Sequence, residues 1–154
     1  MEYEEVILEG FSVVGISIRT TNKNDQSEKD IRRLRMEFFS KNIADDINNR
    51  VSDDLYCVYN DFEDGEEGHY TAIMGYKVYD TNDVTGEYAY ADVEAGKYLK
   101  FITKGEIPHS ARATWEYIWN TNLNRKYMTD FDVFDKNSGI GSDKGQLTTY
   151  ISVE

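Results

Sequence analysis

The feature that most constrains the fold is an internal echo in the sequence. Residues 59–63 (YNDFE) recur loosely at residues 128–132 (MTDFD), and both copies contain the pair Asp-Phe. Each copy follows a helical pattern and precedes a second strand-like run. Repeated units of this kind pack against each other to bury an apolar face that neither can bury alone. We therefore expect two similar halves related by a pseudo-twofold axis, with a groove between them.

Composition and charge narrow the class of protein. The 154 residues are 40% hydrophobic and 14% aromatic, which predicts a single globular domain over residues 1–154 with a substantial core. The net charge of −12 disfavours electrostatic attraction to nucleic acids and to anionic membranes. No apolar stretch approaches the roughly 20 residues that span a bilayer. We therefore expect no direct nucleic-acid binding and no membrane association.

The N-terminus and the single cysteine indicate the compartment. Cys57 has no second cysteine in the chain with which to form a disulfide. Acidic residues occupy positions 2, 4 and 5, where a signal peptide would carry lysines before an apolar run. We therefore predict a cytoplasmic protein. Nothing before Phe11 is long enough for a helix-turn-helix, so we also expect a stand-alone protein without its own DNA-binding domain.

The first half has the pattern of a β-α-β-β unit over residues 9–79. A strand rich in β-branched residues, residues 11–18, is followed by a helix that begins near Ser27. Apolar residues then recur at helical spacing as far as Ile47. Two aromatic and β-branched segments, residues 55–61 and 69–79, predict a hairpin across an acidic, glycine-containing loop.

The second half repeats the pattern over residues 92–153. Residues 93–103 predict a strand that Gly96 interrupts. A second helix begins near Pro108 and presents two tryptophans on one side. Residues 130–134 and 146–153 predict the two closing strands. The chain is therefore assigned to the α+β class, as a duplicated β-α-β-β unit.

The sequence contains no specific catalytic or metal-binding motif. The two histidines have no local partner pattern, and Cys57 lies within a strand. The acidic loop fails as an EF-hand because Phe62 occupies a position that requires an oxygen ligand. We therefore predict no cofactor, no metal site and no assigned catalytic residue, and a binding protein is favoured over an enzyme.

The chain resembles the GyrI-like effector-binding domains, which include the ligand-sensing parts of AraC-type and MerR-type bacterial multidrug transcription regulators. The resemblance spans nearly the whole chain. It is carried, in order, by residues 11–21 (FSVVGISIRTT), 56–59 (YCVY) with 68–70 (GHY) and Gly75, 96–98 (GKY) with Phe101 and Gly105, 115–119 (WEYIW) with Arg125, 130–134 (DFDVF), and 150–153 (YISV).

The resemblance implies a duplicated SH2-like split barrel with two curved antiparallel sheets and a central groove for amphipathic, often cationic, small molecules. In the family a groove carboxylate pairs with the ligand's charge while aromatic rings stack on its apolar body. The family strand reads Asp-Phe-Glu-x-Tyr, whereas this chain has Asp132 and Phe134 at the last acid and the tyrosine. The tryptophan often found in the first helix is absent, and Arg35 lies near that place.

The physical chemistry of the side chains supports a groove as well. Asp132 and Phe134 point to the same face of a strand, and a carboxylate beside aromatic rings needs a charged or hydrogen-bonding partner. A cation over an aromatic face gains about 0.5–2 kcal/mol. The alternative is that each aromatic residue belongs to the core and that Asp132 is a surface acid. The candidate ligand-binding residues are Asp132, Phe134, Tyr56, Tyr59, Tyr70, Tyr98, Trp115, Trp119 and Tyr150.

Three functions remain open. The leading one is a small-molecule binding protein of the transcription-regulator effector-binding type, whose partner is an amphipathic compound. Relatives in the superfamily imply a second, a hydrolase that detoxifies cyclopropane-type alkylating compounds. Gyrase-inhibitor members of the family imply a third, an acidic module that binds a protein partner.

Overall fold

The computed structural model describes residues 1–104, 107–135 and 146–154, without the side chains of residues 104 and 107–110. It contains eight strands and two α-helices. The helices are α1 (Gln26–Ser40) and α2 (Ile107–Trp119), and short 3-10 turns lie at Lys23–Asp25 and Ile43–Asp46. The strands are β1 (Glu4–Leu8), β2 (Phe11–Thr21), β3 (Leu55–Asn60), β4 (His69–Val78), β5 (Ala89–Val93), β6 (Gly96–Lys104), β7 (Thr129–Phe134) and β8 (Gln146–Ser152).

All eight strands form one antiparallel sheet in the order β1-β6-β8-β7-β3-β4-β2-β5. The order is symmetric about the junction of β7 with β3, so that β2-α1-β3-β4 and β6-α2-β7-β8 are the two repeats. The strand that precedes each repeat pairs with the first strand of the other repeat: β1 with β6, and β5 with β2. We call β1 and β5 the exchanged strands. The predicted α+β fold with a duplicated β-α-β-β unit is confirmed, and its two four-stranded halves join edge to edge.

The Asp-Phe echo does not mark equivalent positions in the two halves. Asp130 and Phe131 lie inside β7, whereas Asp61 and Phe62 follow the end of β3, and Asp61 has a left-handed backbone (φ 51°). The ladder between β3 and β7 instead pairs Cys57 with Asp132. Glu63, which the echo aligns with Asp132, lies in the loop after β3 with its side chain 63% exposed.

Three boundaries differ from the sequence prediction. Helix α1 ends at Ser40, because Asn42 has a left-handed backbone (φ 51°), and Ile47 falls beyond the following 3-10 turn. Ser27 lies inside the first turn, after Asp25 at the N-cap position. The segment predicted as one strand over residues 93–103 belongs to two strands, β5 and β6, separated before Gly96, whose φ is +151°. Strand β1 was not predicted.

The sheet is covered by helices on one face only. Leu34 and Phe38 of α1 pack on the helix-facing side of β2, β3 and β4, and Ile118 of α2 packs over β6 and β8. A separate cluster around Val58 and Phe131 covers the opposite face of the sheet, together with side chains of the exchanged strands. Burial of both faces explains why apolar residues of β3 and β4 occur on both sides of the sheet.

The helices are short relative to a bilayer. Over the described stretches of the chain, neither helix has the length and apolar character that a membrane span requires.

Substitution of Gly15 by alanine is expected to destabilise the fold. Gly15 and Gly75 face each other across the β2–β4 ladder, and a Cβ at Gly15 would lie 1.8 Å from the carbonyl oxygen of Met74. Because backbone atoms must move to relieve that overlap, Gly15→Ala should lower the free energy of unfolding by about 1–3 kcal/mol. Denaturant unfolding measures the change.

Gly86→Ala is the matched control, since a Cβ there meets nothing within 4 Å. A Gly15→Ala variant that unfolds at the wild-type denaturant concentration would contradict the close approach of the two strands.

Candidate functional site

A cleft of about 340 Å³ lies between the two helices, over the junction of β3 with β7. This volume is within the range of small-molecule sites. Helix α1 forms one wall, helix α2 the other, and the helix-facing side chains of the central strands form the floor. The cleft is lined by Asn22, Ser27, Glu28, Ile31, Arg32, Arg35, Met36, Tyr59, Phe62, Glu66, Tyr70, Ala111, Arg112, Trp115, Trp119, Arg125, Asp130, Asp132 and Phe134.

Asp132 lies at the floor of the cleft and is 3% exposed. Its carboxylate accepts hydrogen bonds from three neutral donors on three different elements. Tyr59 Oη of β3 lies 2.7 Å from Oδ2, and Trp115 Nε1 of α2 lies 3.2 Å from the same oxygen. The Thr149 hydroxyl of β8 donates to Oδ1. The carboxylate is thus fixed in place by hydrogen bonds.

The electrostatic state of Asp132 follows from this burial. Burial raises the pKa of the Asp132 carboxyl above its ordinary value of 3.8, and the hydrogen bonds from Thr149, Tyr59 and Trp115 oppose that rise. No salt bridge joins Asp132 to a basic residue in the part of the chain that the structure describes. The positive charge of Arg35, which forms no salt bridge with Asp132, also lowers this pKa. A buried carboxylate that is held by neutral donors and only partly compensated gains from a cation placed beside it.

Aromatic rings form a continuous row along the cleft. Tyr59 contacts Trp115 edge to face at 5.5 Å between ring centroids, and Trp115 lies 6.2 Å from Trp119. In the other direction Tyr59 contacts Tyr70 at 5.9 Å, and Tyr70 contacts Phe62 at 5.5 Å. Such rings offer faces and edges to a flat apolar body.

A second buried acid, Asp130, is neutralised within the protein. Its side chain accepts from Arg125 at 2.7 Å and from the Ser152 backbone at 2.8 Å, and Arg125 also contacts Glu66 at 2.8 Å. The side chains of Asp130 and Arg125 are 0% and 5% exposed. Asp130 therefore ties the acidic loop to β7 and β8 through Arg125, and Asp132 is left as the cleft acid that has no salt bridge among the described residues.

Charged residues of the two helices line the upper part of the cleft. Arg112 of α2 contacts Glu28 of α1 at 2.6 Å and therefore bridges the two walls. Arg35 of α1 stacks over the Phe134 ring at 4.9 Å from its centroid. Arg32, one turn earlier, also faces the cleft.

The candidate residues predicted from the sequence fall on both faces of the sheet. The structure brings together around the cleft Asp132, Phe134, Tyr59, Tyr70, Trp115 and Trp119. The remaining three, Tyr56, Tyr98 and Tyr150, pack on the opposite face around Phe131, with ring centroids 6.1, 5.8 and 4.6 Å from it. These three tyrosines are therefore separated from the cleft by the sheet itself.

Sequence reasoning missed the wall that α1 contributes. Glu28, Ile31, Arg32 and Arg35 follow the spacing i, i+3, i+4, i+7, which places them on one helical face. Charged residues on one face of an amphipathic helix usually face solvent, and the periodicity that joins them to Ile31 is the signal that could have identified the wall. The described residues include no group of three metal-ligating side chains placed to hold an ion.

Comparison with known proteins identifies the family. The model of the Cass2 family, described as integron-associated effector binding protein, matches residues 6–153. The chain belongs to this family. The resemblance to GyrI-like effector-binding domains that the sequence showed is thereby confirmed, and the protein is an effector-binding domain similar to the ligand-binding domains of transcription regulators.

One sequence relative and two solved structures are similar to this chain. YobU of Bacillus subtilis, whose name describes it as a candidate transcriptional regulator, is 25% identical over 146 residues, covering 91% of this chain and 90% of that protein. The structure of SAV2435 bound to tetraphenylphosphonium has a TM-score of 0.80 at 18% identity, covering 100% of this chain and 94% of the other. An integron cassette protein of Vibrio cholerae has a TM-score of 0.66 at 22% identity, covering 99% and 95%.

The burial of Asp132 predicts a specific pH dependence of stability. Because the folded-state pKa is raised, the folded protein binds this proton more tightly than the unfolded chain does. The free energy of unfolding should therefore fall as pH rises from about 4 through the folded-state pKa. The total fall is about 1.4 kcal/mol for each pKa unit by which the folded value exceeds the unfolded one. In Asp132→Asn this contribution is absent, so its stability should decline less steeply with pH.

Urea unfolding of both proteins across the range from acid to neutral pH measures the two slopes. Asp83→Asn, at an exposed position, is the control and should keep the wild-type slope. Equal slopes in wild type and Asp132→Asn would contradict a raised pKa at Asp132.

Proposed function

We propose that the protein is a small-molecule binding module that takes amphipathic aromatic compounds into the cleft between α1 and α2. In this proposal the positively charged part of the compound lies beside Asp132, and its flat apolar part lies against the row of aromatic rings. The residues that carry binding are Asp132, Phe134, Tyr59, Tyr70, Trp115 and Trp119.

The proposal rests on one observation: the Asp132 carboxylate is buried and is held by hydrogen bonds from neutral donors. A carboxylate that is 3% exposed and held by neutral donors on β3, α2 and β8 costs stability unless something compensates its charge. Natural proteins keep such groups where function requires them. A cationic ligand would complete the compensation that Arg35 supplies only in part, and its attraction to Asp132 grows as water is excluded from the site.

The aromatic row supplies the apolar part of the interaction. Trp115 contributes both a hydrogen bond to Asp132 and a ring face to the cleft, so the position of the indole is coupled to the carboxylate. Trp119 is 37% exposed and lies toward the opening. A cation beside such rings gains about 0.5–2 kcal/mol in addition to the ion pair.

The comparisons support the same class of ligand. The neighbour SAV2435 has been solved with tetraphenylphosphonium, a lipophilic aromatic cation. The relative YobU bears the name of a regulator. We therefore propose that the protein is cytoplasmic and binds several different drug-like compounds. We also propose that a ligand bound in the cleft is the signal in transcriptional regulation.

The hydrolase and protein-interaction alternatives have less physical support. Three donors already engage the two oxygens of Asp132, which suits a fixed counter-charge better than a base that must take up a proton. An acidic outer surface is common to many proteins of this net charge and specifies no partner.

Asp132→Asn is expected to weaken the binding of tetraphenylphosphonium at least about tenfold, because the variant removes the counter-charge and keeps the shape of the side chain. Titration with quenching of tryptophan fluorescence measures the affinity, since both tryptophans line the cleft.

Asp83→Asn has the same change in net charge at an exposed position and should bind like the wild type. Equal affinities for wild type and Asp132→Asn would remove Asp132 from the site, and failure of the wild type to bind would overturn the proposal for this cation.

A further inference from the structure

Equal numbers of acidic and basic side chains line the cleft, but not all of them form salt bridges with one another. Four basic and four acidic residues line it, although the whole chain carries a net charge of −12. The basic residues are Arg32, Arg35, Arg112 and Arg125, and the acidic residues are Glu28, Glu66, Asp130 and Asp132. The cleft is thus far less negative than the protein around it.

Most of these charges neutralise one another. Arg125 compensates Asp130 and Glu66 at 2.7 and 2.8 Å, and Arg112 compensates Glu28 at 2.6 Å. Arg112 also contacts Glu116 at 3.1 Å, so each of these two arginines contacts two carboxylates and neither is left with a positive charge for a ligand to match. They also fix the two ends of the cleft, since one pair joins the acidic loop to β7 and the other joins the two helices.

One acidic and two basic residues of the cleft take no part in these salt bridges. Asp132 has no basic partner, and neither Arg35 nor Arg32 forms a salt bridge with an acid over residues 1–104, 107–135 and 146–154. Arg35 stacks over Phe134, and Phe134 and Asp132 project from the same face of β7. The guanidinium of Arg35 and the carboxylate of Asp132 therefore face one cleft without a salt bridge between them, although they are near enough for the charge of Arg35 to act on Asp132.

This arrangement has a consequence for ligand choice. A monocation placed beside Asp132 is also close to Arg35, whose like charge disfavours it. A ligand that carries an acidic group on the side of Arg35 meets a planar donor suited to two parallel hydrogen bonds. The same ligand can present its cation to Asp132, so that both charges of the cleft are compensated at once.

We propose that the cleft selects amphoteric aromatic compounds, with the ligand's cation at Asp132 and its carboxylate at Arg35, over aromatic compounds that carry a positive charge alone. Arg35 is then a specificity-determining residue, and Arg32 reinforces the positive potential at that end. This inference rests on the proposed function of the same cleft. It assigns the charge class of the ligand, which the binding proposal alone leaves open.

The test uses two forms of one fluorescent dye. A rhodamine methyl ester is a monocation, and its free acid has the same ring system with an added carboxylate, which makes it a zwitterion. Fluorescence anisotropy gives the affinity of each form for the wild type. The free acid is expected to bind about tenfold more tightly than the ester.

Arg35→Gln should abolish this preference by weakening the free acid while leaving the ester unchanged or tighter. Arg35→Lys should retain only part of the preference, because it keeps the charge and loses the planar pair of donors. Arg33→Gln is the matched control: Arg33 is on the same helix with its side chain 74% exposed, and it does not line the cleft. This control should keep the wild-type ratio of affinities.

The outcomes separate the two proposals. If both forms bind and Asp132→Asn weakens both, but the ester binds as tightly as the acid and Arg35→Gln changes nothing, the charge selection is overturned and the binding function stands. If Arg33→Gln changes the ratio as much as Arg35→Gln, the effect is one of net charge and the role of Arg35 is overturned. If neither form binds the wild type, both proposals fail for these compounds.

Discussion

The pairing of β3 with β7 is the interaction on which the rest of the structure depends. It joins two four-stranded halves into one sheet and sets Cys57 opposite Asp132. Residues of β3 and β7 that face the helices then become neighbours, which brings the Tyr59 hydroxyl to 2.7 Å from the Asp132 carboxylate. A shift of one residue in this ladder would turn Asp132 toward the opposite face of the sheet. The cleft therefore exists only in this register.

Two buried acids two residues apart illustrate how the same strand serves stability and binding. Asp130 is satisfied by Arg125 and Ser152, and it anchors the loop after β3. Asp132 is held by neutral donors, and burial raises the pKa of both carboxyls. The first arrangement is complete without a ligand. The second has no salt bridge in its described residues and only the partial compensation of the Arg35 charge, and that difference is the physical basis of the proposed site.

Much of the fold was predictable, because the patterns that encode it are local. Alternation and helical spacing located both repeats, and the resemblance to effector-binding domains pointed to Asp132. The faces of the strands were only partly predictable. Tyr56 and Tyr59 are an odd number of positions apart and must face opposite sides of β3, so alternation could have excluded one of them. The placement of Tyr98 and Tyr150 depends on the pairing of β6, β7 and β8, which no local pattern encodes.

The contribution of α1 was hidden for a different reason. Arg32 and Arg35 are charged, and charged positions on an amphipathic helix usually face solvent. Only the second helix, which closes over α1's polar face from the other half of the molecule, turns that face into a cleft wall. The role of α1 as a cleft wall therefore depends on the second repeat, and the sequence of α1 alone does not show it.

The structure of the protein crystallised with a bound lipophilic aromatic cation tests the central claim most directly. The account predicts the ligand between α1 and α2, with its positive charge within about 6 Å of the Asp132 carboxylate and of a cleft aromatic ring. A ligand bound on the opposite face of the sheet, near Tyr56, Tyr98 and Tyr150, or a ligand in the cleft with its charge directed away from Asp132, would contradict it.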